Sequence, residues 1–237
     1  MEFGILDSKK IITTINRLNL RIVDRFPQSN LINVGRKLYK IGKETDEVIS
    51  WIETPNIWFR AGIGTFIAIV LAGLFYALFS LEISIKNLSL GDIAAIVEAV
   101  VNEIVLLGAA VIFLVSIETR SKRKKIIAAV NRLRSIAHVI DAHQLTKDPH
   151  TVSHSDRRTK HSPKRTMTAF ELARYLDYCA EMLSLTGKLG FLYVQKFNDP
   201  VSVNAANELA GLTTDLSRKI WQKLIILKAS DKPITSG

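Results

Sequence analysis

The chain has a single cysteine in 237 residues, Cys179, so no intrachain disulfide can hold it together. Its stability must come from packing, and Cys179 itself reads as a small packing residue on a helical stretch. No series of alternating segments suggests strands. No glycine-rich phosphate loop occurs, and none of the recognised metallohydrolase spacings is present. No cleavable signal is visible: the first apolar stretch begins at Ala61, behind a polar region, so it is expected to anchor the chain and to be retained. The most consequential absence is of charge. From Ala61 to Leu81 there is no charged side chain of either sign.

A charge-free stretch of that length spans roughly 30 Å as a helix, the thickness of a bilayer's hydrocarbon core. Thr54 and Pro55 before it fit an N-cap followed by proline at the first helical position, and Trp58 falls where a half-wet ring belongs. A second apolar run, Ile104 to Ile117, is too short to cross alone. Extended back to Ala99 it reaches spanning length, with Glu103 near one end and Asp92 and Glu98 outside the hydrocarbon. The sequence therefore predicts an all-α membrane protein, a two-span transmembrane hairpin continuous with a cytoplasmic helical bundle. A re-entrant or interfacial second segment is the competing reading.

Charge distribution sets the expected orientation. Arg120, Lys122, Arg123, Lys124 and Lys125 follow the second span directly, whereas the loop between the spans carries only Lys86 among its basic residues. The positive-inside rule puts both termini in the cytoplasm of an inner or plasma membrane. The five basic residues after the span are candidate contacts for anionic lipid, and much of the formal net charge of +10 then has a topological origin. Nucleic acid is not expected as a partner. The basic segment from Lys147 to Arg165 has no interleaved aromatic residue on which bases would stack.

The pattern divides the chain into helices at 1–54, a first transmembrane helix at 55–81, a short external loop at 82–91 and a second transmembrane helix with its external extension at 92–118. A stalk helix at 119–146, a basic histidine-containing linker at 147–166, a C-terminal helical pair at 167–229 and a polar tail at 230–237 follow. Ile11, Ile15, Leu18 and Ile22 recur at helical spacing, and Pro27 with the polar residues after it closes that segment. Leu31, Val34, Leu38, Ile41, Thr45, Val48 and Ile52 form a seam of alternating threes and fours. Two helices of this size cannot make a core alone, so they are expected to pack on the C-terminal part or on copies of themselves. No helix breaker intervenes between Asp92 and Thr146, and Ile126, Val130, Leu133, Ala137 and Ile140 continue the periodicity beyond the basic cluster. Thr168 and Glu171 form a capping box flanked by Met167 and Leu172 as a hydrophobic staple. Gly187 and Gly190 are expected to permit close helix contact, and Asp199-Pro200 to start the last helix. Tyr175, Tyr178, Tyr193 and Trp221 are expected to be packing groups.

Two sets of residues suggest association in the membrane. Gly64, Ala68 and Ala72 lie four apart in the first span, as do Gly73 and Ala77, which lets a partner helix approach closely. Glu98, Asn102 and Glu103 share a polar stripe that would face protein, water or the lumen of a multi-copy pore. All five histidines of the chain lie between positions 138 and 161. His138 and Asp141, three apart on a helix, are the nearest thing to a metal pair, but a local packing and hydrogen-bonded pair without metal is the favoured reading. No cofactor is expected.

These features favour a membrane-anchored, self-associating helical protein. Its cytoplasmic bundle would bind an unidentified protein or small ligand, with membrane lipids and further copies of itself as the other partners. A subunit of an oligomeric ion channel, or a membrane-perturbing effector gated through the stalk, is the alternative. A membrane-bound metal-dependent enzyme ranks third, and a non-enzymatic role is preferred.

Overall fold

The computed structural model describes residues 5–54, 57–80, 89–147, 149, 160–161 and 167–230. Among them all regular structure is helical: α1 (Ser8–Arg25), α2 (Leu31–Glu53), α3 (Ile57–Ser80), α4 (Leu90–Leu145), α5 (Ala169–Leu192) and α6 (Pro200–Ser230). The expectations for Pro55, the side chain of Trp58, most of the loop between the apolar helices, most of the basic linker and the end of the tail fall outside the described residues. Two compact units result. One comprises the chain up to Glu53 together with everything from Arg123 onward, and the other runs from Thr54 to Lys122.

The first unit is a helical bundle built from both ends of the chain. On α1 the predicted stripe Ile11, Ile15, Leu18 and Ile22 is buried, and on α2 so are Leu31, Val34, Leu38, Ile41 and Ile52. The second half of α4 supplies Ile126, Val130, Leu133, Ala137 and Ile140, all buried as their spacing predicts. Each large aliphatic side chain removed from water contributes about 1.5–3 kcal/mol, and these residues join α5 and α6 in one continuous core. The N-terminal pair therefore packs as part of the same unit as the C-terminal helices. Phe26, in the turn between α1 and α2, meets Tyr175 and Tyr178 of α5 edge-on, with ring centroids 5.5 and 6.1 Å away.

Local chemistry sets the helix ends. Asp7 accepts a hydrogen bond from the Lys10 N–H at the start of α1. Thr168 and Glu171 form the predicted capping box on α5: the Thr168 hydroxyl accepts from the Glu171 N–H, and the Glu171 carboxylate accepts from the Thr168 N–H. Those hydrogen bonds from Thr168 hold the Glu171 carboxyl below its ordinary range. Cys179 is completely buried, and burial pushes its thiol up to about 12, consistent with an inert packing group.

Tyr175, Tyr178 and Tyr193 are core residues as expected, with the Tyr193 hydroxyl 2.8 Å from that of Thr45. Trp221 is a correction. It is 56% exposed, because the buried face of α6 is set by Leu216, Ile220, Leu224 and Leu227, and Trp221 lies one step off that line.

Gly187 and Gly190 do not break α5, which continues to Leu192. They mark its closest approach to α6. A Cβ at Gly190 would stand 2.5 Å from Leu209 Cδ2 and 3.9 Å from Leu133 Cδ1, and both leucines are fully buried. Gly190→Ala is expected to destabilise the bundle by about 1–3 kcal/mol through overpacking. Urea unfolding followed by helical circular dichroism measures it, and Leu209→Val in the same chain should recover part of the loss.

The second unit differs in its surface. Large apolar side chains on α4, among them Ile104, Val105, Leu106, Ile112, Phe113 and Val115, are exposed, as are Phe66, Ile69, Leu71 and Phe75 on α3. Among the described residues one helix, α4, is long and apolar enough to cross a membrane, and the described apolar segment of α3, Arg60–Gly73, is shorter.

Candidate functional site

The feature that most needs a functional account is the change of character along α4. Up to Ile117 its apolar side chains lie in the open, and from Ile126 onward the apolar side chains of its inner face are core. Between them stand Glu118 and the five basic residues from Arg120 to Lys125. Nothing in the backbone marks the change, since the helix is continuous. The distinction lies in what surrounds the side chains.

The basic residues are not equivalent. Arg120 and Lys124 are exposed and have no ion pair among the described residues. Lys122 Nζ is 3.0 Å from Glu118 Oε1, one helical turn back. Lys125 Nζ lies 4.0 Å over the Trp51 ring of α2, a cation–π contact. Arg123 departs most from the expected lipid-contact role. Its guanidinium donates to both carboxylate oxygens of Asp199, with Nε at 3.0 and 3.2 Å and a terminal nitrogen at 2.6 Å. Asp199 also caps α6, accepting from the Ser202 N–H and hydroxyl, each at 2.9 Å. The side chain of Asp199 is 5% exposed. The Arg123 guanidinium first, and then Ser202, hold its carboxyl below the usual range, and Asp199 in turn raises Arg123. The capping role of Asp199 was legible from Asp-Pro in the sequence; its pairing with a residue 76 positions away was not.

In the apolar unit, Gly64, Ala68, Ala72 and Gly73 of α3 are exposed, and a Cβ built at Gly64 or Gly73 would meet nothing within 4 Å. Ala77 lies on the same helix. Glu98 and Asn102 of α4 are exposed and Glu103 is half-buried, so within one chain these residues form no enclosed polar site. Arg60 Nε at the start of α3 approaches Glu118 Oε2 of α4 at 4.0 Å.

The expected His138–Asp141 pair does not form. His138 is exposed, and Asp141 Oδ1 accepts instead from Gln144 Nε2 at 2.7 Å. Gln144 is buried, so its amide N–H groups need a partner close by, whereas exposed His138 can turn to water. Among the described residues no group of three His, Cys, Asp or Glu side chains could hold a metal ion.

No protein-family model, curated protein or solved structure matches this chain. Its class therefore rests on its own architecture: among the described residues all regular structure is helical, with a packed bundle and one helix of membrane-spanning length and composition.

Proposed function

We propose that the chain is a membrane-anchored, self-associating helical protein whose cytoplasmic bundle recognises a partner or signal. The observation that carries this reading is the unburied apolar surface of α4, which continues as a core element of the bundle. Exposed apolar area of that extent is unfavourable in water and favourable in hydrocarbon. A two-span hairpin, α3 with the apolar part of α4, accounts for further features. The approach of Arg60 to Glu118 brings together the start of the first apolar helix and the far end of the second, as an antiparallel hairpin requires. The basic residues that follow then lie on the cytoplasmic side, with both termini. Exposed Gly64, Ala68, Ala72 and Gly73 leave room for a second copy to approach.

Membranes from cells producing the chain provide the test. The protein should stay in the pellet after an alkaline carbonate wash and be released by detergent. In inverted vesicles, protease should remove the bundle, whereas in right-side-out vesicles it should spare it. Release by carbonate alone would overturn the anchor, and cleavage of the bundle only from outside would overturn the orientation.

A further inference from the structure

A cavity of about 660 Å³ lies in the bundle where the turn between α1 and α2 meets the end of α4 and the side of α5. That volume is within the range of small-molecule sites. Arg25, His143 and Lys147 line it, and among the described residues no aspartate or glutamate does. Phe26 and Tyr175, both nearly fully buried, and Ser29, whose hydroxyl accepts from the Leu31 N–H, are also in its lining.

Arg25 is near enough to Glu171 to help hold its carboxyl down, after the hydrogen bonds from Thr168, but forms no salt bridge with it. Among the described residues none of Arg25, His143 and Lys147 makes an ion pair. Arg25 lies 5.3 Å from the ring centre of Phe170, and Lys147 lies 5.2 Å from that of Tyr175. Acidic residues on the same helices are engaged or turned elsewhere. Asp141 accepts from Gln144, Glu171 closes the capping box with Thr168, and Asp24 lines the adjacent groove, whose rim Arg25 shares. Burial, and then the charge of Lys147, lower the basicity of His143.

The negative end of α4's dipole offers a structural reason for cations here, but another residue already serves it. Lys223 of α6 donates to the Gln144 carbonyl at 2.7 Å and to that of Lys147 at 3.3 Å. Arg25 and Lys147 are positive charge beyond that need, and with the imidazole of His143 they gather around a concave surface.

We propose that this cavity binds a small soluble phosphate-bearing compound of nucleotide size, with its phosphates among Arg25, His143 and Lys147. Guanidinium and ammonium groups suit phosphate oxygens. That such a compound is the signal read by the bundle rests on the function proposed above. Its binding does not, because the cavity belongs wholly to the bundle.

The test is calorimetric titration of the full chain in zwitterionic detergent with two probes, ADP and inorganic pyrophosphate. It is repeated in phosphatidylcholine nanodiscs with and without phosphatidylglycerol. ADP should bind saturably at one site per chain in every medium, and pyrophosphate should compete with it. Arg25→Gln and Lys147→Gln should each weaken ADP about tenfold or more, the loss of a charge-assisted hydrogen bond. Arg36→Gln with Lys40→Gln, at exposed positions on α2, should leave it unchanged. Absence of saturable binding to both probes at millimolar concentration would overturn the proposal. So would ADP affinity indifferent to both cavity substitutions. If ADP fails and the cavity variants change only the response to phosphatidylglycerol, the cations serve lipid headgroups and a soluble ligand is overturned. Failure of the carbonate test with success here would remove the membrane anchor and leave the site intact.

Discussion

Replacing Asp199 with alanine is expected to destabilise the bundle by about 2–4 kcal/mol. The change removes the cap of α6, worth about 1 kcal/mol, and leaves Arg123 without its carboxylate. Breaking a fully buried pair costs about 3–5 kcal/mol, and the partial exposure of Arg123 lowers that figure through solvent screening. Asp199→Asn keeps a capping oxygen and should lose less. The pH dependence has a defined sign. Folding lowers the Asp199 pKa, so its ionised form stabilises the native state above the unfolded value of about 3.9, and that contribution disappears as pH falls through the lower folded value. The stability gap between the natural chain and Asp199→Asn should thus be level near neutrality and close in acid. Urea unfolding of the full chain in detergent, at neutral pH and in a series descending well below about pH 4, measures both effects. A gap that stays the same in acid would show that the charge of Asp199 contributes nothing.

Leu133→Ala should cost about 2–5 kcal/mol, the range for deleting a large aliphatic side chain from a closed core. Leu133 is fully buried in the bundle half of α4 and borders the site of closest approach between α5 and α6. Leu106→Ala, on the exposed apolar half of the same helix, should change bundle unfolding little. The same substitution on one helix then reports two surroundings. Equal losses at both positions, measured by urea unfolding, would contradict the division of α4 between a packed core and an open apolar surface.

What could be read from the sequence was local or periodic. The stripes on α1 and α2, the continuation of α4 from Ile126 to Ile140, the capping box at Thr168 and the cap at Asp199 all depend on residues within a turn or two of one another. So did the tolerance of Gly187 and Gly190, because a helix with apolar residues on both sides of a glycine pair has a reason to continue. What escaped notice depends on distant segments meeting. Arg123 with Asp199, and Lys125 over Trp51, pair residues that no local spacing connects. The cavity is further from view, since Arg25, His143 and Lys147 come from two helix ends and belong to no motif. The His138–Asp141 expectation shows the limit of spacing itself: residues three apart on a helix can meet, but Asp141 answers to a buried amide first. Trp221 shows the same limit for residue type, since its size suggested core while its position on α6 left it outside.

The bundle takes its core from both sides of the apolar unit, and this imposes an order of events during synthesis. When α2 has left the ribosome, the apolar faces of α1 and α2 have only each other, and α5, which covers them both, does not yet exist. At about 5–20 residues per second, roughly 7–28 s pass before α5 is complete, and the apolar helices are made in that interval. The first two helices therefore wait as a half-finished surface while the middle of the chain is made. A ribosome that stalls within α4 leaves a nascent chain with its sticky face uncovered, a natural client for a chaperone.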